Sequence, residues 1–255
     1  MSLWGATVIT SLASAIPVVG NSIMVWLWGG FTVDNPTLNR FYSFHYLFPF
    51  LLAALSLAHL AALHQYGSTN PLGINAQTDL VDFYPYFYVK DLVATLGLAA
   101  LAALLVGFYP EVLGHPDNNI PANPMSTPAH IVPEWYFLWV YAILRSIPNK
   151  LAGVLAILLV FVALGLLPYV HKPSCRGPMF RGLHQNLAWA LIGDFLLLTY
   201  LGHQPVEDPY VLLGQIATVS FFLLLFLICL AALADEWLAG AMRPKVSKEV
   251  SAVTL

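Results

Sequence analysis

Apolar residues run along this chain in blocks about as long as a membrane is thick, parted by short polar stretches. The first clear block covers 41–63, FYSFHYLFPFLLAALSLAHLAAL, bracketed by Arg40 and His64. At 1.5 Å per helical residue it predicts one crossing of a hydrocarbon core of roughly 30 Å. Further apolar blocks at 92–109, 151–170, 183–201 and 210–234 predict four more spans. Residues 1–33 carry no charge, yet Pro17, Gly20, Asn21, Gly29 and Gly30 divide them into pieces too short to span. They predict two short helices near the interface, a depth that suits Trp4, Trp26 and Trp28. Residues 67–82 form a polar connection, and 110–148 a loop rich in proline and asparagine that contains PEWYFLWVYAILRSIP. The apolar part of that loop, 135–144, is 10 residues long and predicts a surface or re-entrant helix.

Composition sharpens the class. Of 255 residues, 59% are hydrophobic and 9% charged, against about 25% charged in soluble domains. The expected fold is an all-α membrane protein of about five transmembrane helices with short interfacial helices. The net charge of −3 matters less than where the charges fall. With five spans, Lys90, Lys172, Arg176, Arg181, Arg243, Lys245 and Lys248 lie on one side, and Arg40, Arg145 and Lys150 on the other. The positive-inside rule then puts the C-terminus inside and PEWY outside. Cys175 and Cys229 have neither zinc spacing nor a disulfide framework. Met1–Leu3 lacks the basic start of a secretory signal. The expected organisation is 1–33, outer interfacial helices; 34–110, histidine helix, inner loop and second span; 111–150, outer loop with the PEWY helix; and 151–255, a three-helix membrane region.

Two histidines interrupt the first span. His45 and His59 are 14 positions apart, so they sit ~21 Å apart along the axis and roughly 40° apart around it. Both face one side of one helix at two depths. An imidazole in hydrocarbon needs a partner. Two on one stripe suggest two stacked metal centres, most simply haems with imidazole axial ligands; the plainer reading has each donate to a carbonyl of a neighbouring helix.

PEWY at 133–136, the two histidines, and GHQPVEDPY at 202–210 together resemble cytochrome b, the membrane-embedded catalytic subunit of ubiquinol–cytochrome c reductase (respiratory complex III). SLWGATVITSLASAIP near the start and ANPMSTPAHIVPEWYF in the loop are long, specific strings, and the likeness runs from about Ser2 to about Leu238. The resemblance implies that His45 ligates the iron of a low-potential b haem near the outer face and His59 that of a high-potential b haem near the inner face. In the family the opposing ligands come from a helix that precedes this region. The expectation is therefore the C-terminal part of a split cytochrome b, its haems shared with a second polypeptide carrying the first three helices.

The resemblance also implies two quinone sites. At the outer one Glu134 would be the general base, with Gly5, Pro133, Trp135, Tyr136 and Tyr141 shaping the pocket. Burial would raise the proton affinity of Glu134 into the working range of such a base; the plainer role is to cap the short helix behind it. At the inner one His64 and Asp91 would supply protons, assisted by Lys90 and Ser68, with Phe83 as a ring contact. Asp194, alone inside the fourth span, has no assigned role.

The function implied is oxidation of ubiquinol outside and reduction of ubiquinone inside, with electrons crossing through two haems and protons translocated. Implied partners are an iron–sulfur subunit, a cytochrome c1-type subunit, other complex III subunits, a second copy in a homodimer, and membrane lipid; no nucleic acid is expected. The implied location is the mitochondrial inner membrane, a bacterial plasma membrane being the alternative. A plastoquinol–plastocyanin reductase is the closest rival, but there the histidines are one residue further apart and the chain divides after their helix. A haem-less structural or assembly subunit would have no need of costly polar groups at His45, His59, His64, Asp91 and Glu134.

Overall fold

The computed structural model describes residues 1–74, 76–170, 177 and 181–242. Lys172, Cys175 and Arg176 of the expected basic loop, with His171, and Arg243, Lys245 and Lys248 of the tail lie outside the described residues. Eight α-helices appear among them, and no strand.

The chain opens with α1 (Ser2–Ser11), a tight turn at Leu12–Ala15, and α2 (Gly20–Trp28). The two short helices fold back on each other at Gly20, where a Cβ would come within 2.6 Å of the Ala13 carbonyl oxygen. The Trp28 indole donates to Thr10 Oγ1 at 2.6 Å and secures the pair.

Next comes α3 (Asn35–Tyr66), 32 residues long. Asp34 and Thr37 form a capping box at its start, Pro36 sits where its missing N–H costs nothing, and Gly67 at φ +74° ends it. Thr37 also donates to the Trp28 carbonyl at 2.7 Å, and the Arg40 guanidinium donates to the carbonyls of Trp26 and Leu27. The end of α2 is thus held by the first turn of α3, the place where cations favour a helix terminus. Inside α3, Pro49 removes the N–H that the His45 carbonyl would accept.

A polar stretch and one wide turn at Phe83–Phe87 lead into α4 (Tyr88–Phe108). The outer loop then runs to a turn at Trp135–Phe137 and the nine-residue helix α5 (Leu138–Ser146). α6 (Lys150–Val170), α7 (Gly182–His203) and α8 (Tyr210–Met242) complete the fold. α8 runs eight residues past the end of its expected span.

The five long helices fall on the five expected blocks, but four of them are long and apolar enough to cross a membrane: α3, Phe83–Phe108, α6 and the Tyr210–Asp235 part of α8. The exception, α7, has the length, 22 residues. His184, Gln185, Asn186 and Asp194 make it more polar. Its place in the bundle supplies the reason this is tolerated. Asp194 is buried in the bundle with Ser220 of α8 beside it, away from lipid.

The core lies among α5, α6, α7 and α8, where Ala142, Ile143, Val160, Leu198, Leu201, Ala217, Phe221 and Leu225 close on one another. Lipid gives helices no hydrophobic reason to associate, so close backbone approach and polar contacts must do it. Both are present around α5. Ser146 and Thr218 share a buried hydrogen bond of 2.9 Å, and Gln215 donates to the Ser146 carbonyl at 3.3 Å. Arg181 at the start of α7 pairs with Asp235 of α8 at 2.5 Å. α5 presses its own carbonyls onto glycines on either side. A Cβ on Gly153 would meet the Leu144 oxygen at 2.9 Å, and one on Gly202 the Leu138 oxygen at 2.1 Å. Gly202→Ala should therefore part α5 from α7 and cost about 1–3 kcal/mol, as overpacking does. A lowered temperature for heat-induced loss of the assembled complex checks this.

α3 and α4 are different. No part of their apolar windows is buried, and Thr37 is the one buried residue of α3. The substantial contact of α3 is with α2, and that of α4 is with the turn that precedes it.

Candidate functional site

The PEWY segment carries a built site. The chain turns through Trp135–Phe137, closed by the Phe137 N–H on the Glu134 carbonyl at 2.9 Å, and then enters α5. A cleft of about 210 Å³ opens there, lined by Pro133, Glu134, Trp135, Leu138, His115 and His203, among others. A second cleft of about 280 Å³ adjoins it through Met1 and is walled by Trp4, Asp117 and the 120–128 loop. Gly5 follows Trp4, and a Cβ added there would meet no atom within 4 Å, so the space beside it is open.

The fold thus brings Pro133, Glu134 and Trp135 together at one cleft. Tyr136 and Tyr141 are close in the chain but do not line it. Tyr136 is exposed and rests against Trp135 and Phe137, with ring centroids 5.6 and 4.8 Å apart. The Tyr141 hydroxyl donates to the Ile131 carbonyl at 3.5 Å. The plainer expectation is corrected: the Glu134 side chain makes no cap hydrogen bond to the short helix behind it, and it is exposed in this chain.

His115, a loop residue, and His203, a span end, line the same cleft as Glu134; the packing of α5 on α7 brings His203 there. His115 accepts from the Asp117 N–H at 3.2 Å, and His130 Nε2 lies 3.3 Å from the His203 carbonyl. No spacing in the sequence signals this convergence.

His45 and His59 are both exposed on α3. The plainer reading, donation to a neighbouring helix, is not realised among the described residues, since no long helix packs on that stripe. The described residues contain no group of three or more metal-type side chains. Each histidine is a single available donor.

The inner set is looser. His64 lies in the last turn of α3 and Ser68 just beyond it. Phe83 starts the turn before α4, and Asp91 is in the first turn of α4. The Lys90 ammonium is 5.7 Å from the centre of the Phe87 ring. All five of these side chains are exposed, and α3 and α4 have no extensive contact that would gather them.

These features define a multi-pass helical membrane protein with a histidine-bearing span and a carboxylate at an outer cleft. Residues 1–67 match the family profile described as cytochrome b/b6/petB, and 121–222 the one described as cytochrome b(C-terminal)/b6/petD. Cytochrome b of Marchantia polymorpha is 66% identical over 222 residues, which are 87% of this chain and 55% of that one. Cytochrome b of Triticum aestivum is 63% identical over 223 residues, 88% of this chain and 56% of that protein. A solved structure titled hyperthermophilic respiratory Complex III superposes with a TM-score of 0.84 at 29% identity, covering 92% of this chain and 63% of the other. The chain spans a little over half the length of the curated relatives it matches. It belongs to the cytochrome b family.

Proposed function

We propose that this chain is part of a complex III-type cytochrome b that oxidises ubiquinol at the outer membrane face and reduces ubiquinone at the inner one. The observation that carries the reading is the pair of available imidazoles, His45 and His59, on one uncovered stripe of α3 in a chain of this family. A neutral imidazole nitrogen without another partner is the donor that haem iron takes, so the residues present fit one side of two haem sites. His45 would hold the low-potential b haem and His59 the high-potential one. When bound, the two haems supply one-electron carriers at two depths of the bilayer. The opposing imidazoles, and the cover for α3 and α4, come from polypeptide outside this sequence, joined to it or separate as a partner with the first three cytochrome b helices.

At the outer cleft Glu134 accepts a proton from the quinol hydroxyl. Its exposure within this chain leaves room for the substrate on the open side, where the remaining wall excludes water. Pro133 sets the turn that aims Glu134, Trp135 gives an apolar wall with the Tyr136 ring packed against it, Tyr141 borders the site from α5, and the open space at Gly5 admits a ring. At the inner face His64 and Asp91 pass protons to the quinone, replenished through Lys90 and Ser68, with Phe83 against the ring. The electrons divide between an iron–sulfur partner and the inward path. A cytochrome c1-type subunit, the other complex III subunits and a second copy complete the assembly, in the mitochondrial inner membrane.

A reduced-minus-oxidised spectrum of the native complex, with peptide identification of its membrane polypeptides, tests the reading. Two b-type signals and peptides bearing a second pair of histidines spaced like His45 and His59 are expected. A complex without haem would leave the structural-subunit reading in its place. Whether those peptides belong to this chain or another settles the split.

A further inference from the structure

We propose that Arg145 is a positioning residue of the quinol-oxidising site: its guanidinium clamps the Tyr141 ring, and with it the backbone leading to Glu134, onto the C-terminal end of α7. The inference rests on the reading of that cleft given above.

The end of a helix leaves its last carbonyls without intrahelical donors and carries partial negative charge. At the end of α7 Arg145 meets that need twice, donating to the carbonyls of Leu201 and Gln204, the latter at 2.6 Å. Arg145 and Tyr141 are one helical turn apart on α5, and the guanidinium carbon lies 5.6 Å from the ring centroid. That is cation–π distance, and it sets the side chain across the phenol while its N–H groups face α7. The phenol hydroxyl in turn reaches the Ile131 carbonyl, two residues before Pro133. His130 approaches the His203 carbonyl on the same helix end. The segment 130–134 is therefore moored at two points to the last turn of α7, and Arg145 controls one of them through Tyr141. The close fit of Gly202 against Leu138 places α5 beside that turn.

A mere cap would make a different prediction. Lysine can satisfy helix-terminal carbonyls with a point charge. It cannot bridge two carbonyls with a planar fork while lying across an aromatic face. Arg145 does not line the cleft, so its effect on turnover is indirect, and the Tyr141 ring that it lies across is the route proposed here.

The experiment is a double-mutant cycle of Arg145→Lys and Tyr141→Leu in the whole complex, with quinol oxidation normalised to haem. Arg145→Lys should raise the KM for quinol about tenfold with a smaller change in kcat, the scale expected for a sub-ångström to ångström misplacement. In the Tyr141→Leu background the same change should add almost nothing, because the ring it acts through is gone. An unchanged KM in the single variant, or the same added factor in both backgrounds, overturns the proposal. Failure of Arg145→Lys to assemble any complex also overturns it, by placing the residue in the folding of the bundle. Wild-type complex without quinol oxidation removes the underlying reading of the cleft, and this one with it.

Discussion

His59→Leu is expected to abolish one of the two b-type signals in the difference spectrum of the assembled complex, and His45→Leu the other. The size of the effect follows from how each side chain is placed. Both are exposed on a helix with no long neighbour among the described residues, so leucine fits without overpacking and leaves no cavity. It also removes a polar group from hydrocarbon, which favours insertion. On the proposed reading, what is lost is the nitrogen donor on this side of each iron, and the described residues contain no group of three or more histidine, cysteine or acidic side chains able to hold a metal. Leu60→Ala, on the exposed surface of the same helix, should leave both signals. Persistence of both signals in His45→Leu and His59→Leu would end the haem reading of α3.

Glu134→Gln is expected to lower the turnover number for quinol oxidation by about 10²–10⁴-fold, the contribution of a positioned general base. The amide keeps the shape and hydrogen-bonding reach of the carboxylate but cannot hold a proton at working pH. Because the side chain caps no helix and is exposed, its replacement should cost little stability, and haem content should be normal. A variant with the wild-type rate would return Glu134 to an ordinary interfacial acid.

Much of this was legible in the sequence because it is local. Asp34, Pro36 and Gly67 state where α3 starts and stops. Glycines and a proline split 1–33, and the shortness of the apolar run after Glu134 forecast α5. The roles proposed for His45, His59 and Glu134 rest on residue type and depth together with the resemblance to cytochrome b. Periodicity, however, says which face of a helix is apolar and never what lies against it. That α5 would meet α7 carbonyl-to-glycine at Leu138 and Gly202, bringing His203 to the cleft, depends on contacts more than 60 residues apart. The same limit applies to Asp194, which the bundle accommodates through Ser220, and to Glu134, whose exposure depends on which walls this chain supplies.

The unequal cover of the two halves bears on how the protein is made. α5 to α8 close a core among themselves and can settle as soon as they have been inserted. Among the described residues α3 and α4 have no such partner, and the histidines of α3 are left uncovered. Newly made chains should thus pass through a stage in which one region is mature and the other open to membrane proteases, since it is binding that removes the open form. The cellular level of this chain is then expected to follow the supply of whatever covers α3 more closely than the rate of its own translation.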